Sequence, residues 1–197
     1  MAQGKQAKIL SPKQESAVLN HLGFTRYPER DRVMFLLSTK AGMRAKEISG
    51  LTWSMVTDAE GDIADTIALE NKASKGKGGG RMIPMHPALR NALVELQRVR
   101  GERIRPKHPV IHSERERGLS AASVTKWFFN LYKNLGMDGC SSHSGRRTFI
   151  TRASRKVSEA GGSIRDVQQL AGHASLQTTQ RYIEGDGEAK RKLVNLI

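Results

Sequence analysis

One cysteine, Cys140, stands among 197 residues, which excludes an internal disulfide and fits a reducing compartment. Aromatic residues are only 5% of the chain and apolar residues 38%, so a core has to be built mainly from aliphatic groups. The length still suffices for one domain with a sizeable core. No apolar run approaches the roughly 20 residues that span a bilayer. The leading MAQGKQAKILS carries lysines without the apolar centre of a secretory signal. A metal site is hard to assemble: there is no H-E-x-x-H, and His108 and His112 in HPVIH would lie roughly 13 Å apart along a strand. GKGGGR lacks the G-x-x-x-x-G-K-[ST] frame of a nucleotide-binding loop. Acidic groups are the last shortage, 19 Asp and Glu against 33 Lys and Arg, for a net charge of +14. Such a field draws polyanions, nucleic acid first and an anionic membrane surface a weak second. The composition points to a basic, soluble, cytosolic protein.

What is present reads as mainly α-helical with one small antiparallel sheet, an α+β chain without repeats. In AKILSPKQESAVLNHLG, Ser11 caps a helix, Pro12 suits its first turn and Gln14 completes a capping box. RDRVMFLLSTKAGMRAKEISGL gives a buried helix, a break at Gly42 and a short helix from about Arg44. Thr66 to Leu69 and Arg81 to Met85 are β-capable runs around a Lys/Gly-rich tip, hence a hairpin with a cationic turn. Pro87 opens a helix whose stripe is Leu89, Leu93 and Leu96. HPVIHS is a short buried strand at best. A helix capped by Ser120 and closed by Gly136 follows. SHSGRRTFITRASRKVSEAGG, SIRDVQQLAG and SLQTTQRYI predict three more helices, ahead of the tail GEAKRKLVNLI.

Three constellations could carry chemistry. Arg44 and Glu47 are three apart and can pair on one helical face. By itself the pair reads as an ordinary surface ion pair; the sharper alternative is a carboxylate that aims the guanidinium fork at a phosphate. His143 and Arg146 also share a face, either as a polar helix start or as a titratable imidazole beside a fixed cation. His173 precedes Tyr182 by nine residues, roughly 13 Å along one unbroken helix and on opposite faces. A turn from Gly172 to Ser175 would instead swing Tyr182 back toward His173. Tyr182 is then either a packing residue or a nucleophile, and a phenol of pKa about 10 needs help to react.

In order, GMRAKEI, ASKGKGGGRMIPM, HSGRRTFIT and LAGHASLQTTQRYI resemble the signature boxes of the tyrosine recombinases, or phage integrases. The likeness runs from about Ile9 to Ile183. It implies the catalytic-domain fold shared with type IB topoisomerases, and site-specific DNA recombination by strand cleavage and rejoining. Tyr182 would attack the scissile phosphodiester and form a 3′-phosphotyrosine link, freeing a 5′-hydroxyl. Arg44 and Arg146 would hold the non-bridging oxygens, with His173 as a further donor. Lys75 would protonate the departing oxygen, His143 would handle the tyrosine proton, and Glu47 would support Arg44. Lys72, Lys77, Arg81 and Arg147 would contact DNA. No metal, ATP or other cofactor is implied, because the phosphotyrosine bond conserves the energy for resealing.

The same resemblance implies double-stranded DNA as partner, a homo-tetramer on two recombination sites, and accessory DNA-bending proteins. The chain divides into a basic segment (1–10), a catalytic domain (11–184) and a tail (185–197) that docks either on its own core or, as the resemblance implies, on a neighbouring protomer. In that tail Ala189, Leu193, Val194 and Ile197 make an apolar face opposite Lys190, Arg191 and Asn195, and Gly185 and Gly187 supply a hinge. Three departures from the family pattern stand out. The hairpin tip is about one residue longer, so Lys77 competes with Lys75 for the acid role. IEGD follows the tyrosine where many relatives have a histidine. About ten residues stand where most relatives carry an N-terminal clamp domain, as expected of a minimal recombinase or of a catalytic fragment. The alternatives are a DNA-binding regulator or architectural protein on the same scaffold, and a topoisomerase-like relaxing activity.

Overall fold

A computed structural model describes residues 6–73, 80–115, 117–182 and 194–195. Helix α1 (Pro12–Leu22) begins as its sequence demands. Ser11 accepts from the Gln14 N–H, Gln14 reaches back to the Ser11 N–H, and Pro12 fills the first turn. Helix α2 (Pro28–Lys40) buries Val33, Met34, Phe35, Leu36 and Leu37 in succession, so it is covered on every side and forms the centre of the core. Gly42, at φ +63°, turns the chain into the short helix α3 (Ala45–Ser49).

Strands β1 (Thr66–Leu69) and β2 (Arg81–Pro84) pair antiparallel, with Leu69 opposite Arg81 and Thr66 opposite Pro84. Helix α4 (Pro87–Arg100) follows and buries the Leu89, Leu93 and Leu96 stripe. The segment expected as a strand, HPVIHS, is none. Its backbone bonds go to single bridges, Thr52 with Pro109 and His112 with Gly118, while Val110 and Ile111 are fully buried. Helix α5 (Ala121–Asn134), capped by Ser120, packs Val124 and Phe128 into the core next to α3.

Helix α6 (Ser144–Lys156) lies against α2 so closely that a Cβ on Gly145 would stand 2.4 Å from Ser38 Oγ. It stops earlier than SHSGRRTFITRASRKVSEAGG predicts, because turns from Val157 onward lead into Gly161 at φ +69°. Helix α7 (Ile164–Ala171) opens on a Ser163–Asp166 capping box and closes on Gly172 in the left-handed region. Helix α8 (Leu176–Gln180) is a short piece ending two residues before Tyr182. Ile150, Val167 and Ala171 form a second, smaller core on which the Tyr182 ring packs. The proposed tail lies outside the described residues apart from Val194 and Asn195. No helix of the described residues is long and apolar enough to cross a membrane.

Candidate active site

Glu47 is the organising group. Its side chain is fully buried, and burial alone would raise its pKa. The fork of Arg81, then the N–H and the charge of Arg44, outweigh burial and hold the carboxyl below its usual range. Arg44 donates its backbone N–H to Glu47 Oε2 at 2.7 Å and its Nη1 to Oε1 at 2.8 Å. Arg81 donates Nη1 to Oε1 at 2.9 Å and Nη2 to Oε2 at 3.2 Å. The Arg44–Glu47 pair is therefore an internal clamp, with 29% of the Arg44 side chain still open to solvent.

The end of α7 supplies the rest of the frame. A helix C-terminus leaves its last carbonyls unpaired and carries a partial negative charge. Three successive carbonyls there each receive a different guanidinium. Leu170 accepts from Arg81 Nε at 2.9 Å, Ala171 from Arg146 Nη2 at 2.7 Å, and Gly172 from Arg44 Nη2 at 3.2 Å. Arg146 donates its other arm to the Gly42 carbonyl at 2.6 Å. Gly42 itself must be glycine, since a Cβ there would meet the Phe149 ring at 2.4 Å. Burial and the neighbouring Arg44 lower the pKa of Arg146 to about 10, which leaves it charged at neutrality.

Past Gly172 the chain turns and returns Tyr182 to His173. The two rings stack with centroids 5.7 Å apart and planes at 23°. His173 Nδ1 lies 2.9 Å from Thr179 Oγ1, and the Gln168 side chain donates to the His173 carbonyl at 3.0 Å. Burial, then the charges of Arg146, Arg44 and Arg81, push the His173 pKa down to about 4, so its ring is neutral. Tyr182 opens into a cleft of about 720 Å³ that it lines together with Arg146, His143, Arg147 and Arg181.

A family model described as "Phage integrase family" matches residues 8–188. The chain belongs to the phage integrase family. Among curated proteins it is 33% identical over 164 residues to the tyrosine recombinase XerC of Rhodospirillum centenum, covering 81% of this chain and 43% of that one. It is 28% identical over 177 residues to XerC of Corynebacterium glutamicum, covering 89% and 54%. The chain thus spans about half the length, or less, of the curated relatives it matches. Solved structures share the fold: XerA recombinase at TM-score 0.72 and 23% identity, covering 100% of this chain and 66% of that one. XerH recombinase bound to a palindromic difH substrate follows at 0.72 and 20%, covering 98% and 53%. The Tn1549 transposon integrase with circular intermediate DNA gives 0.71 and 19%, covering 100% and 68%.

In this member of the family, five of the expected positions come together. Arg44, Arg146 and His173 surround the end of α7, while His143, exposed at the start of α6, shares the cleft with Tyr182. Lys75 and Lys77 lie outside the described residues, as does the side chain of Lys72. Arg147 is half-buried at the cleft. The expectation that Arg81 faces DNA is not met by its placement: its side chain is 9% exposed and turned inward onto Glu47. Sequence reasoning did not single out Thr179, fully buried beside His173, nor Gln6, Ala7 and Lys8, which wall the cleft. Nothing local in QTTQ or GKQAK signals either role. Among the described residues no group of three or more His, Cys, Asp or Glu could hold a metal ion.

Proposed function

We propose that the chain cleaves and rejoins DNA at specific sites through a 3′-phosphotyrosine intermediate, with Tyr182 as nucleophile. The observation that carries this reading is the placement of Tyr182 in a cationic cleft beside Arg146, stacked on a neutral His173. The Tyr182 oxygen attacks phosphorus, the bond to the 5′-oxygen breaks, and the 3′-phosphate becomes attached to the ring oxygen. His143 takes the phenolic proton. Lys75 returns a proton to the departing 5′-oxygen, and attack by that hydroxyl on the phosphotyrosine reverses the sequence.

Charge supports the assignment. Arg44, Arg81 and Arg146 face one carboxylate, Glu47, so three cations and one anion leave a surplus of two positive charges. Negative charge grows on the non-bridging oxygens in the transition state, and preorganised donors there act more strongly than on the ground state. Arg44 and Arg146 are held by backbone carbonyls, so they need not reorganise when that charge develops. His173 Nδ1 and Thr179 Oγ1 are in hydrogen-bond contact; in the tautomer whose Nδ1 accepts from that hydroxyl, the ring proton is on Nε2 and that nitrogen is a third donor.

The same proposal takes residues 11–184 as the catalytic domain, 1–10 as a basic lead and 185–197 as an exchanged tail. Its partners are duplex DNA, three further copies of the chain across two sites, and DNA-bending proteins. A mobile-element role and a cytoplasmic, nucleoid-associated location belong with it. The test is incubation with genomic DNA flanking the chain's own gene, followed by mapping of covalent protein–DNA ends. Recurrent ends at one sequence support the proposal, and purely non-covalent retention of DNA contradicts it.

A further inference from the structure

We propose that Arg81 is a positioning residue of strand cleavage, one that sets Arg44 and Arg146 through Glu47 and the end of α7 without touching DNA. The inference rests on the cleavage reading given above. Each of the three guanidinium nitrogens of Arg81 already donates, two to the carboxylate of Glu47 and one to the Leu170 carbonyl. A phosphate arriving from solvent meets a side chain that is 9% exposed and committed elsewhere. Arg44 is the contrast, sharing Glu47 Oε1 yet keeping 29% of its side chain open.

Arg81 ties together three parts of the chain that local sequence does not link. It begins β2, opposite Leu69, the last residue of β1. It grips the arginine box through Glu47, 34 residues away, and the His173 turn through Leu170, 89 residues away. The fit at that turn is close: a Cβ on Gly172 would fall 2.7 Å from Arg81 Nη1. Sharing Glu47 between two guanidinium groups also limits its hold on Arg44, whose charge is then available to a phosphate. Lysine preserves the charge but cannot reproduce a planar fork with three donors.

The test uses the full chain and a nicked duplex carrying the site recovered from covalent-end mapping. Arg81→Lys and Arg81→Met are compared with the unmodified chain, alone and combined with Glu47→Gln. Three quantities are read: the salt slope of DNA binding, the single-turnover rate of covalent capture at saturating protein, and the melting temperature. Arg81→Lys should leave the slope unchanged and slow capture by about 10²-fold, the scale set by small misplacements of reacting groups. Adding Glu47→Gln should deepen that loss little, because both changes act through one carboxylate.

A slope shallower by about 0.9, with capture restored at saturation, would make Arg81 a phosphate contact and overturn the proposal. So would capture at the unmodified rate, losses that multiply fully with Glu47→Gln, or a defect that vanishes below the variant's melting transition. If Arg81→Met does not fold, Arg81→Lys carries the comparison. Absence of capture by the unmodified chain would instead sink the cleavage reading, and this inference with it.

Discussion

Thr179 holds His173 by its Nδ1 at 2.9 Å, in a position where both groups are buried and the imidazole is neutral. When the Thr179 hydroxyl is the donor, the ring proton is on Nε2, the nitrogen proposed to meet the phosphate. Thr179→Val keeps the shape and removes the hydroxyl. One buried hydrogen bond contributes about 1 kcal/mol, so capture should slow by about fivefold. His173→Ala, which deletes the donor, should cost about 10²–10³-fold. Single-turnover capture on a nicked duplex measures both, and capture unchanged by Thr179→Val would remove Thr179 from the account.

The pKa of His173 falls from an ordinary value of 6.5 to about 4 on folding. Between those values the unfolded chain binds the proton and the folded chain does not, so stability declines as pH drops from about 6.5 to about 4. His86 is shifted in the same direction by burial and by Lys40, so the informative quantity is a difference between chains. His173→Asn should flatten part of the decline within that window. Glu47 adds a separate loss below its ordinary 4.5, as its depressed carboxyl is finally protonated. Urea unfolding at a series of pH values reads both, and parallel curves for the variant and the unmodified chain would contradict the assignment to His173.

Gly172 does two things at once. At φ +60° it ends α7, and its missing side chain admits the Arg81 guanidinium. Gly172→Ala should lose about 1–2 kcal/mol from the left-handed conformation and slow capture by displacing Arg81 and Arg44. Denaturant unfolding and capture, measured on the same preparation, check the pair of effects. A stability loss with capture unchanged would show that the close approach at Gly172 has no bearing on chemistry.

Glu15 joins the start of the chain to the core. Only 6% exposed, it takes Lys40 at 3.0 Å and an arm of Arg152, whose other arm donates to the Leu10 carbonyl at 2.9 Å. Glu15→Gln leaves both cations without their anion and should destabilise the fold by about 2 kcal/mol, the scale of charge-assisted hydrogen bonds. The same change loosens the segment beside Gln6 to Lys8 that walls the cleft. A melting temperature unchanged by Glu15→Gln would count against this view of the contact.

What was legible in the sequence was local. The Ser11–Gln14 box, the Gly42 break and the left-handed Gly172 are set by residues within one turn, and each stands where GMRAKEI, PKQESA and LAGHAS predict. The return of Tyr182 to His173 was legible as well, because a glycine turn between two short helices leaves little else for the chain to do. Arg81 was not. Its partners lie 34 and 89 residues off, and an arginine beside a Lys/Gly-rich tip reads from sequence as one more surface cation. HPVIHS misled for a related reason: a short apolar run reports burial, and the buried Val110 and Ile111 here lie between isolated bridges rather than in a sheet.

The central claim is that Tyr182 becomes covalently joined to DNA, and peptide mass spectrometry tests it most directly. Complexes trapped on a nicked duplex are digested with nuclease and protease, and the peptide containing Tyr182 is sequenced. The account predicts a nucleotide 3′-phosphate on Tyr182 and none anywhere when Tyr182→Phe is used, with DNA binding retained. A nucleotide on any other side chain, or trapping by Tyr182→Phe at the unmodified rate, would contradict it.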